Sequence, residues 1–347
     1  MPSLPKPRNR RGGSPSARAD SAAMRGRAGA AQDSAQPRYE EVVTDSLRWV
    51  NIPDPGTVER DWLAESFGFH ALDLEDVSSI NQRPKIDEYE GYIFIVLHFP
   101  VFDHAARRLT AGELDLFVGP DFLVTIPNRP LKPLDYLFER SRGSEEFRDN
   151  LFRRGAGYLL YRIVDDGFDH CFPMLRKIGN KVDALEVDIF EGRSEELVRD
   201  IFTAKQEIIN FRKVIRPQRP VLRDLETIKQ RYLATDIDLE IYFDDVVDAH
   251  ERIWDMLENY KEVVEALEDT NESLISHRVN DVLRVLTSIS VIVLPLTMIA
   301  SVFGMNVGLP GGGEPASAGL LTFAIVVAIM LGILIGMVAY FRRKHWL

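Results

Sequence analysis

The hydrophobic pattern of this 347-residue chain ends in two long runs that contain no charged residue. They extend from Val285 to Phe303 and from Leu320 to Phe341, and they contain 19 and 22 residues. At a rise of about 1.5 Å per residue, a helix of either length crosses a hydrocarbon core about 30 Å thick. The pattern therefore predicts two C-terminal membrane helices, over residues 285–303 and 320–341, joined by a loop over residues 304–319.

Upstream of these runs, the pattern changes from strand-like to helical near residue 130. Alternation and β-rich composition mark the strand-like segments, and turn residues are expected at Gly112 and at Gly119-Pro120. The strand-like segments are Ser46–Ile52, Gly91–Phe99 and Glu113–Ile126, and a helix is predicted over Val58–Phe67. We interpret residues 39–130 as an α/β domain in the cytoplasm, within an α+β soluble part.

Residues 131–236 show apolar positions at helical spacing. The predicted helices are Leu134–Phe152, Gly157–Ile189 and Ser194 to about Thr235, with breaks near Gly192 and at Pro217–Pro220. From Leu239 to the residue before Pro295 the chain contains neither glycine nor proline. This predicts one helix of about 65 residues, about 100 Å long, that forms a stalk over residues 237–303 and continues into the first membrane span. So long a helix needs neighbours, which other copies around an axis would supply.

The charges that flank the two apolar runs predict their orientation. Basic groups precede the first run and follow the second, where they form a tail over residues 342–347, and the connecting loop has one charge. The residues are His277, Arg278, Arg284, Arg342, Arg343 and Lys344, with Glu314 in the loop. Short segments rich in Lys and Arg stay in the cytoplasm. We therefore expect a multi-pass protein of the cell (inner or plasma) membrane with both termini in the cytoplasm.

The first run carries hydroxyl groups that a simple membrane anchor does not need. They belong to Thr287, Ser288, Ser290, Thr297 and Ser301. Several recur at intervals of three or four residues, which places them on one side of a helix that can face water. The second run is almost entirely apolar, as expected of a helix that faces lipid. Glycines at and beyond Gly304 take the chain out of the helix, so that backbone carbonyls can turn toward an ion.

The first run and the residues after it resemble those of a known family. Val285–Asn306, which reads V-L-T-S-I-S-V-I-V-L-P-L-T-M-I-A-S-V-F-G-M-N, is similar to the pore helix and signature tripeptide of the CorA family of magnesium channels. The basic ending Arg342–Leu347 and the upstream segments Glu75-Asp76 and Gln82–Lys85 are also similar, so the resemblance covers about residues 40–347. It implies a funnel-shaped homopentamer with the first span around a central pore and the second span outside it.

The chemistry of magnesium indicates how residues near the pore would act. Mg²⁺ holds its first water shell tightly, so neutral oxygens suit its passage better than carboxylates. At the mouth we expect Gly304 carbonyls and Asn306 side chains, on either side of Met305, to contact those waters. Lower on the same face, further hydrogen bonds would come from Thr297, Ser290, Thr287 and Asn280. Leu294 and Leu283 share that face and form either dewetting constrictions or ordinary helix packing.

The stalk helix is strongly acidic between Asp244 and Glu272. Carboxylates that repel one another in an oligomer are destabilising until divalent cations bridge them, which predicts a sensor; a solvated helix face is the alternative. The resemblance implies that Asp76 and Asp245 bind regulatory Mg²⁺ across a subunit interface, with Glu75 beside Asp76. It also implies that Asp269 belongs to an inward ring of acids at the lower pore.

The expected function is a channel for passive, potential-driven influx of hydrated Mg²⁺, with Co²⁺ and Ni²⁺ as further candidate ions, closed by cytoplasmic Mg²⁺. Two alternatives stay open. The glycine-rich loop from Val307 to Pro315 also resembles that of the related ZntB-type zinc transporters, although Met305 favours magnesium. The other alternative is a membrane-anchored scaffold or sensor that conducts nothing. No phosphate-loop motif or nucleophile arrangement stands out in the sequence, so we expect no enzyme.

Composition adds an asymmetry to this interpretation. The formal net charge is −11, yet residues 1–38 are basic and rich in Arg, Ala, Gly, Ser and Pro, so we expect a disordered tail. The one cysteine, Cys171, excludes an intramolecular disulfide and is expected to be a packing residue. The expected partners are other copies of the chain, the lipid bilayer and divalent cations, with no nucleic acid.

Overall fold

The computed structural model describes residues 36–53, 55–79, 82–191, 197–232, 238–304, 316–344 and 346. The chain divides into two compact units. The first contains the chain up to Met174 together with Asn210–Asp255, and the second contains Leu175–Ile209 and the chain from Met256 onward. Most of the predicted disordered tail over residues 1–38, the expected break at Gly192, and residues 305–315 of the predicted loop over residues 304–319 lie outside the described residues.

The first unit contains a six-stranded sheet with the strand order β1-β2-β6-β5-β4-β3. The strands are β1 (Glu40–Val43), β2 (Arg48–Asn51), β3 (Lys85–Tyr89), β4 (Tyr92–Asp103), β5 (Arg108–Val118) and β6 (Phe122–Pro127). Neighbouring strands are antiparallel except β2 and β6, which are parallel. Since β3 pairs only with β4 among these strands, it forms one edge of the sheet.

Both faces of this sheet are covered, so its central strands are nearly continuous apolar runs. On one face, α1 (Thr57–Phe67) and α2 (Ala71–Asp76) contribute Leu63 and Leu74 to a core that includes Phe94 and Phe117 of the strands. On the other face, the ring of Trp49 meets that of Phe138 at 4.9 Å between centroids. Successive strand residues point to opposite faces, which explains how one strand serves both cores.

The rest of the described chain is helical. The helices are α3 (Lys132–Gly143), α4 (Glu145–Phe152), α5 (Gly155–Asp169), α6 (Cys171–Glu191), α7 (Leu197–Ile215), α8 (Arg219–Tyr232), α9 (Leu239–Gly304) and α10 (Ala316–Arg343), with a 3-10 turn over Arg216–Gln218. α9 contains 66 residues and continues through Pro295. The end of α9 and the segment Phe323–Arg343 of α10 are long and apolar enough to cross a membrane. The predicted order of an α/β part, a long helix and two apolar C-terminal helices is confirmed.

Two predicted helices are each divided in the structure. The helix expected over Leu134–Phe152 is α3 and α4, because Ser144 ends the first and its hydroxyl oxygen accepts a hydrogen bond from Phe147 N at 3.3 Å. The helix expected over Gly157–Ile189 is α5 and α6, which meet at His170. Pro173 explains this division, since its ring carries no N–H and crowds the carbonyl four residues earlier.

Gly112 was expected at a turn, and that prediction is wrong. It lies inside β5, opposite Phe99 of β4, and the turn between these strands follows Asp103. A Cβ at Gly112 would lie 2.7 Å from Val101 Cγ2 and 2.9 Å from Leu131 Cδ2. Glycine is therefore needed here because neighbouring side chains approach the strand closely, a reason that the local sequence does not reveal.

Candidate ion pathway and cation sites

The predicted pore residues of α9 form one uncovered row. They are Asn280, Leu283, Thr287, Ser290, Leu294, Thr297 and Gly304, and all are exposed in the single chain. Of the two leucines in this row, Leu294 is the more exposed, with 69% of its surface accessible. Met305, Asn306 and Glu314 lie outside the described residues. The row therefore reaches the predicted pore mouth at Gly304, the last residue of α9.

The opposite side of α9 is covered. Ser288 and Ile292 are buried, and Pro295, Leu296 and Ile299 are partly buried. At about 100° per residue, the centre of this stripe lies about 180° around the helix from the row of predicted pore residues. α10 also has one covered stripe: Val326, Met330, Ile333, Leu334, Met337, Val338 and Phe341. Ser288 thus lies on the opposite side of α9 from Ser290 and Thr297.

Two hydroxyl groups on the exposed side, those of Ser290 and Thr297, donate their protons within the helix. Ser290 Oγ donates to Leu286 O and Thr297 Oγ1 donates to Val293 O, each at 2.9 Å. Each oxygen keeps its lone pairs available to accept a further hydrogen bond. Waters bound to a cation point their hydrogens outward, so acceptors are the groups that a hydrated cation needs.

The basic end of α10 is exposed at Arg342, Arg343 and Lys344. Beyond it, Trp346 N donates to Phe341 O at 3.0 Å, which turns the chain back. The guanidinium of Arg284, on α9, lies 5.9 Å from the centre of the Trp346 ring. Positive charge from both helices therefore collects at this end, as expected for segments next to a cytoplasmic membrane surface.

Ion pairs with α7 and α8 neutralise part of the acidic run on α9. Glu251 accepts from Arg219 Nη2 at 2.8 Å and from Arg223 Nη2 at 3.3 Å. Lys205 of α7 pairs with Glu268 in the second unit. The sequence showed that acids outnumber bases along α9, but it did not show that other helices bring bases to them.

Among the other acids of α9 that are exposed and form no salt bridge with a described residue, four are regularly spaced. They are Asp248, Asp255, Glu262 and Asp269, and they recur at intervals of seven. The same interval continues to Ser276, Leu283, Ser290, Thr297 and Gly304, all of which are exposed. We call this set of nine positions the seven-residue row. It joins the unpaired acids of the stalk to the predicted pore face on one helix.

The predicted regulatory acids are in different environments. Asp76 Oδ2 accepts from Lys85 Nζ at 2.7 Å, while Glu75 and Asp245 are exposed. The nearby Asp73 is buried and accepts hydrogen bonds from two tyrosine hydroxyls, so it is a structural residue. Burial raises the pKa of Asp73, although the tyrosine bonds oppose that change.

A single chain does not assemble these acids into a metal site. Over the residues that the structure describes, no group of three or more His, Cys, Asp or Glu side chains is arranged to hold a metal ion. The resemblance implied a site shared between subunits, and a shared site needs a second copy to supply part of its ligands.

Sequence comparison identifies the family. The model of the CorA-like Mg²⁺ transporter protein family matches residues 44–343. The chain belongs to the CorA family. It is 33% identical over 306 residues to the cobalt/magnesium transport protein CorA of Thermotoga maritima, covering 86% of this chain and 83% of that one. It is 20% identical over 302 residues to the zinc transport protein ZntB of Yersinia pseudotuberculosis, covering 86% and 88%.

The fold agrees with this assignment to the CorA family. The solved structure of the CorA magnesium transporter from Methanocaldococcus jannaschii matches with a TM-score of 0.75, covering 89% of this chain and 94% of that one at 24% identity. The protein is therefore a CorA-family transporter of divalent metal ions. Within that family, the row and the covered stripe of α9 are the features of this chain that bear on how an ion would pass.

Proposed function

We propose that this CorA-family chain assembles as a homopentamer and conducts hydrated Mg²⁺ into the cytoplasm through a pore lined by α9. The observation that carries the proposal is the division of α9 into two opposite sides, one covered and one exposed, and the exposed side presents Ser290 and Thr297 among apolar residues such as Leu294. The number of subunits comes from the family resemblance. A divalent ion that crosses about 100 mV gains roughly 4.6 kcal/mol, so the membrane potential can drive influx without another energy source.

The exposed side of α9 supports a pore rather than an anchor. An anchor needs an apolar surface toward lipid, but Ser290 and Thr297 present hydroxyl oxygens there, opposite the covered stripe. Around an axis, these oxygens would surround water and accept hydrogen bonds from the ion's water shell. Leu283 and Leu294 lie on the same side and would narrow the pore between the polar positions.

The seven-residue row supports the same orientation over a greater length. In a straight helix such a row drifts by about 20° per repeat, and left-handed winding of several helices about an axis removes this drift. Asp248, Asp255, Glu262 and Asp269 would then face the axis on the cytoplasmic side. Rings of carboxylates concentrate cations near an opening, while the neutral oxygens beyond them let a hydrated ion pass.

We assign closure of the channel to cytoplasmic Mg²⁺ bound between Asp76 of one subunit and Asp245 of the next, with Glu75 nearby. Asp245 is exposed and forms no salt bridge with a described residue, so a partner copy can approach it. Carboxylates from two chains repel until a cation lies between them. The cation shifts the equilibrium only if it binds the closed state more tightly than the open state.

Uptake by liposomes that contain the purified full chain tests conduction. With an inside-negative potential, we expect Mg²⁺ entry by the parent and none by Asn306→Ala, because a methyl group cannot hydrogen-bond the ion's water shell. Asn259→Ala removes an exposed asparagine from the cytoplasmic part of α9 and should leave uptake unchanged. Uptake at the parental rate by Asn306→Ala would contradict the proposed role of Asn306 in the pore. A stable monomer or dimer in detergent would contradict the pentamer.

Zinc is the second candidate ion, favoured by the similarity to ZntB. The same liposomes, supplied with Mg²⁺, Co²⁺, Ni²⁺ or Zn²⁺ at equal concentration, rank the ions directly. Faster entry of Zn²⁺ than of Mg²⁺ would favour the zinc transporter. Absence of uptake for every ion, from correctly assembled protein, would favour the scaffold or sensor.

A further inference from the structure

Lys85 places an ammonium group between two carboxylates. Its Nζ lies 2.7 Å from Asp76 Oδ2 and 2.5 Å from Asp87 Oδ2. The three side chains are partly buried, with exposed fractions of 31%, 26% and 38% for Lys85, Asp76 and Asp87. A cation that belongs to the chain itself therefore already pairs with Asp76 through Oδ2.

The fold holds this ammonium in place. Lys85 and Asp87 are two residues apart on the edge strand β3, so their side chains lie on the same face. Asp76 is the last residue of α2, which packs over that face, and Lys85 Nζ lies 5.1 Å from the centre of the buried Phe94 ring. A lysine ammonium is protonated at neutral pH, so Lys85 contributes one positive charge between the two carboxylates.

We propose that Lys85 is a tethered competitor of the regulatory cation, whose ammonium must leave Asp76 before a divalent ion binds that carboxylate. This inference rests on the proposed closure by Mg²⁺ at Asp76. A competitor attached to the chain cannot be diluted, so it raises the cation concentration needed for half-maximal occupancy by a constant factor. Lys85 thereby sets the Mg²⁺ concentration at which the channel closes.

The other half of the proposed pair has no such competitor in the described chain. Asp245 is exposed and forms no salt bridge with a described residue. A subunit interface would thus join one free carboxylate to one occupied by an ammonium. A divalent ion that displaces Lys85 from Asp76 brings two charges where one was bound, and Asp87 remains to hold the released ammonium near the site.

The full chain in detergent provides a binding assay, in which Mg²⁺ protects the soluble part from protease. We expect Lys85→Met to lower the half-maximal Mg²⁺ concentration by about two- to fivefold, the range for relief of the one partly buried ion pair with Asp76. The matched control is Lys261→Met. Lys261 also pairs with two carboxylates, Glu258 and Glu265, and is 34% exposed, so its loss should leave the midpoint unchanged.

A second variant controls for misfolding of Lys85→Met, in which Asp76 and Asp87 would repel each other because no ammonium lies between them. Lys85→Met combined with Asp87→Asn removes one charge of each sign and should show the same lowered midpoint. If the lower Mg²⁺ midpoint of Lys85→Met depends on the Asp76 carboxylate, adding Asp76→Asn should abolish that decrease. If Lys85 were purely structural, its replacement would instead lower thermal stability by the same amount in chelator and in Mg²⁺ and would leave the Mg²⁺ midpoint unchanged.

The outcomes separate this inference from the proposed function. If Asp76→Asn raises the Mg²⁺ midpoint while Lys85→Met leaves it unchanged or raises it, the regulatory site stands and the competition is overturned. If Asp76→Asn with Asp245→Asn leaves protection at the parental midpoint, the regulatory site itself is overturned, and Lys85 has no cation to compete with.

Discussion

The opposite sides of α9 can be distinguished with single introduced cysteines. The chain has one native cysteine, Cys171, which is 1% exposed and whose Sγ donates to Gly167 O. Burial raises the pKa of the Cys171 thiol, so it stays protonated and unreactive. Ser288→Cys and Ser290→Cys then report on two positions that lie at almost the same depth in the membrane span.

The size of the expected difference follows from helix geometry and side-chain burial. The two positions are about 3 Å apart along the axis and about 200° apart around it. Ser288 is fully buried on the covered stripe, whereas Ser290 lies on the exposed side. A thiol covered by side chains meets a water-soluble reagent only after local opening, and an opening free energy of about 3 kcal/mol lowers its rate of modification about 100-fold. We therefore expect labelling at Ser290→Cys to be at least about 100-fold faster.

The assay measures the rate of modification by a water-soluble thiosulfonate in liposomes, by mass shift after timed quenching. Thr297→Cys repeats the test on the exposed side of α9. Ile335→Cys, at a residue of α10 that is 65% exposed, distinguishes exposure to lipid from exposure to water. Equal rates at Ser288→Cys and Ser290→Cys would refute the orientation of α9. A rate at Ser290→Cys as slow as at Ile335→Cys would refute a water-filled pore on that side.

Two further predictions concern the stability of the first unit. Burial, and after it the Glu113 carboxylate, raises the pKa of Asp115. Its Oδ1 has no hydrogen-bond partner among the described residues. Asp115→Val should therefore raise the free energy of unfolding by about 1–3 kcal/mol at pH 7. Asp115 loses its proton near pH 3.8 in the unfolded chain and at higher pH in the folded chain. The stability gained by Asp115→Val, measured by denaturant unfolding, should therefore shrink toward pH 3. A gain that grows toward pH 3 would contradict this assignment. Gly167→Ala should cost about 1–3 kcal/mol because its Cβ would overlap the Phe99 ring, whereas Gly143→Ala meets nothing within 4 Å and should be neutral or slightly stabilising. An equal thermal shift in the two alanine variants would contradict the steric argument.

The long helix and the two apolar spans could be predicted from the sequence because each depends on a property of consecutive residues. The absence of glycine and proline between Leu239 and Pro295 predicts the long helix, and the length of the two uncharged runs predicts the membrane spans. The divisions at Ser144 and His170 were missed for a different reason. A cap and a proline act at one or two positions, which a periodicity measured over a whole segment averages away.

The parts of the candidate site that could not be predicted depend on tertiary contacts. Helical spacing separates Ser288 from Ser290 by about 200°, but only the fold reveals which of these two sides of α9 is covered. Similarly, the excess of acids on α9 did not reveal that Arg219 and Arg223 of α8 neutralise Glu251. The short strand β3 carries only five residues and was not predicted, so the approach of Lys85 to Asp76 could not be foreseen.

The ligands that one chain offers the proposed regulatory cation explain why sensing and assembly would be linked. Mg²⁺ prefers six oxygens in octahedral geometry and retains several of its waters. One chain offers Asp76, held by Lys85, and Asp245, exposed, and its described residues form no group of three acids or histidines that could bind a metal. In the proposed site a second copy would add one carboxylate, and waters would complete the shell. Each subunit would then contribute to two neighbouring sites, so loss of one cation would weaken an interface that also positions the next site. A sensor of this kind responds to the whole ring, and its ligands cannot be recognised from the geometry of a single chain.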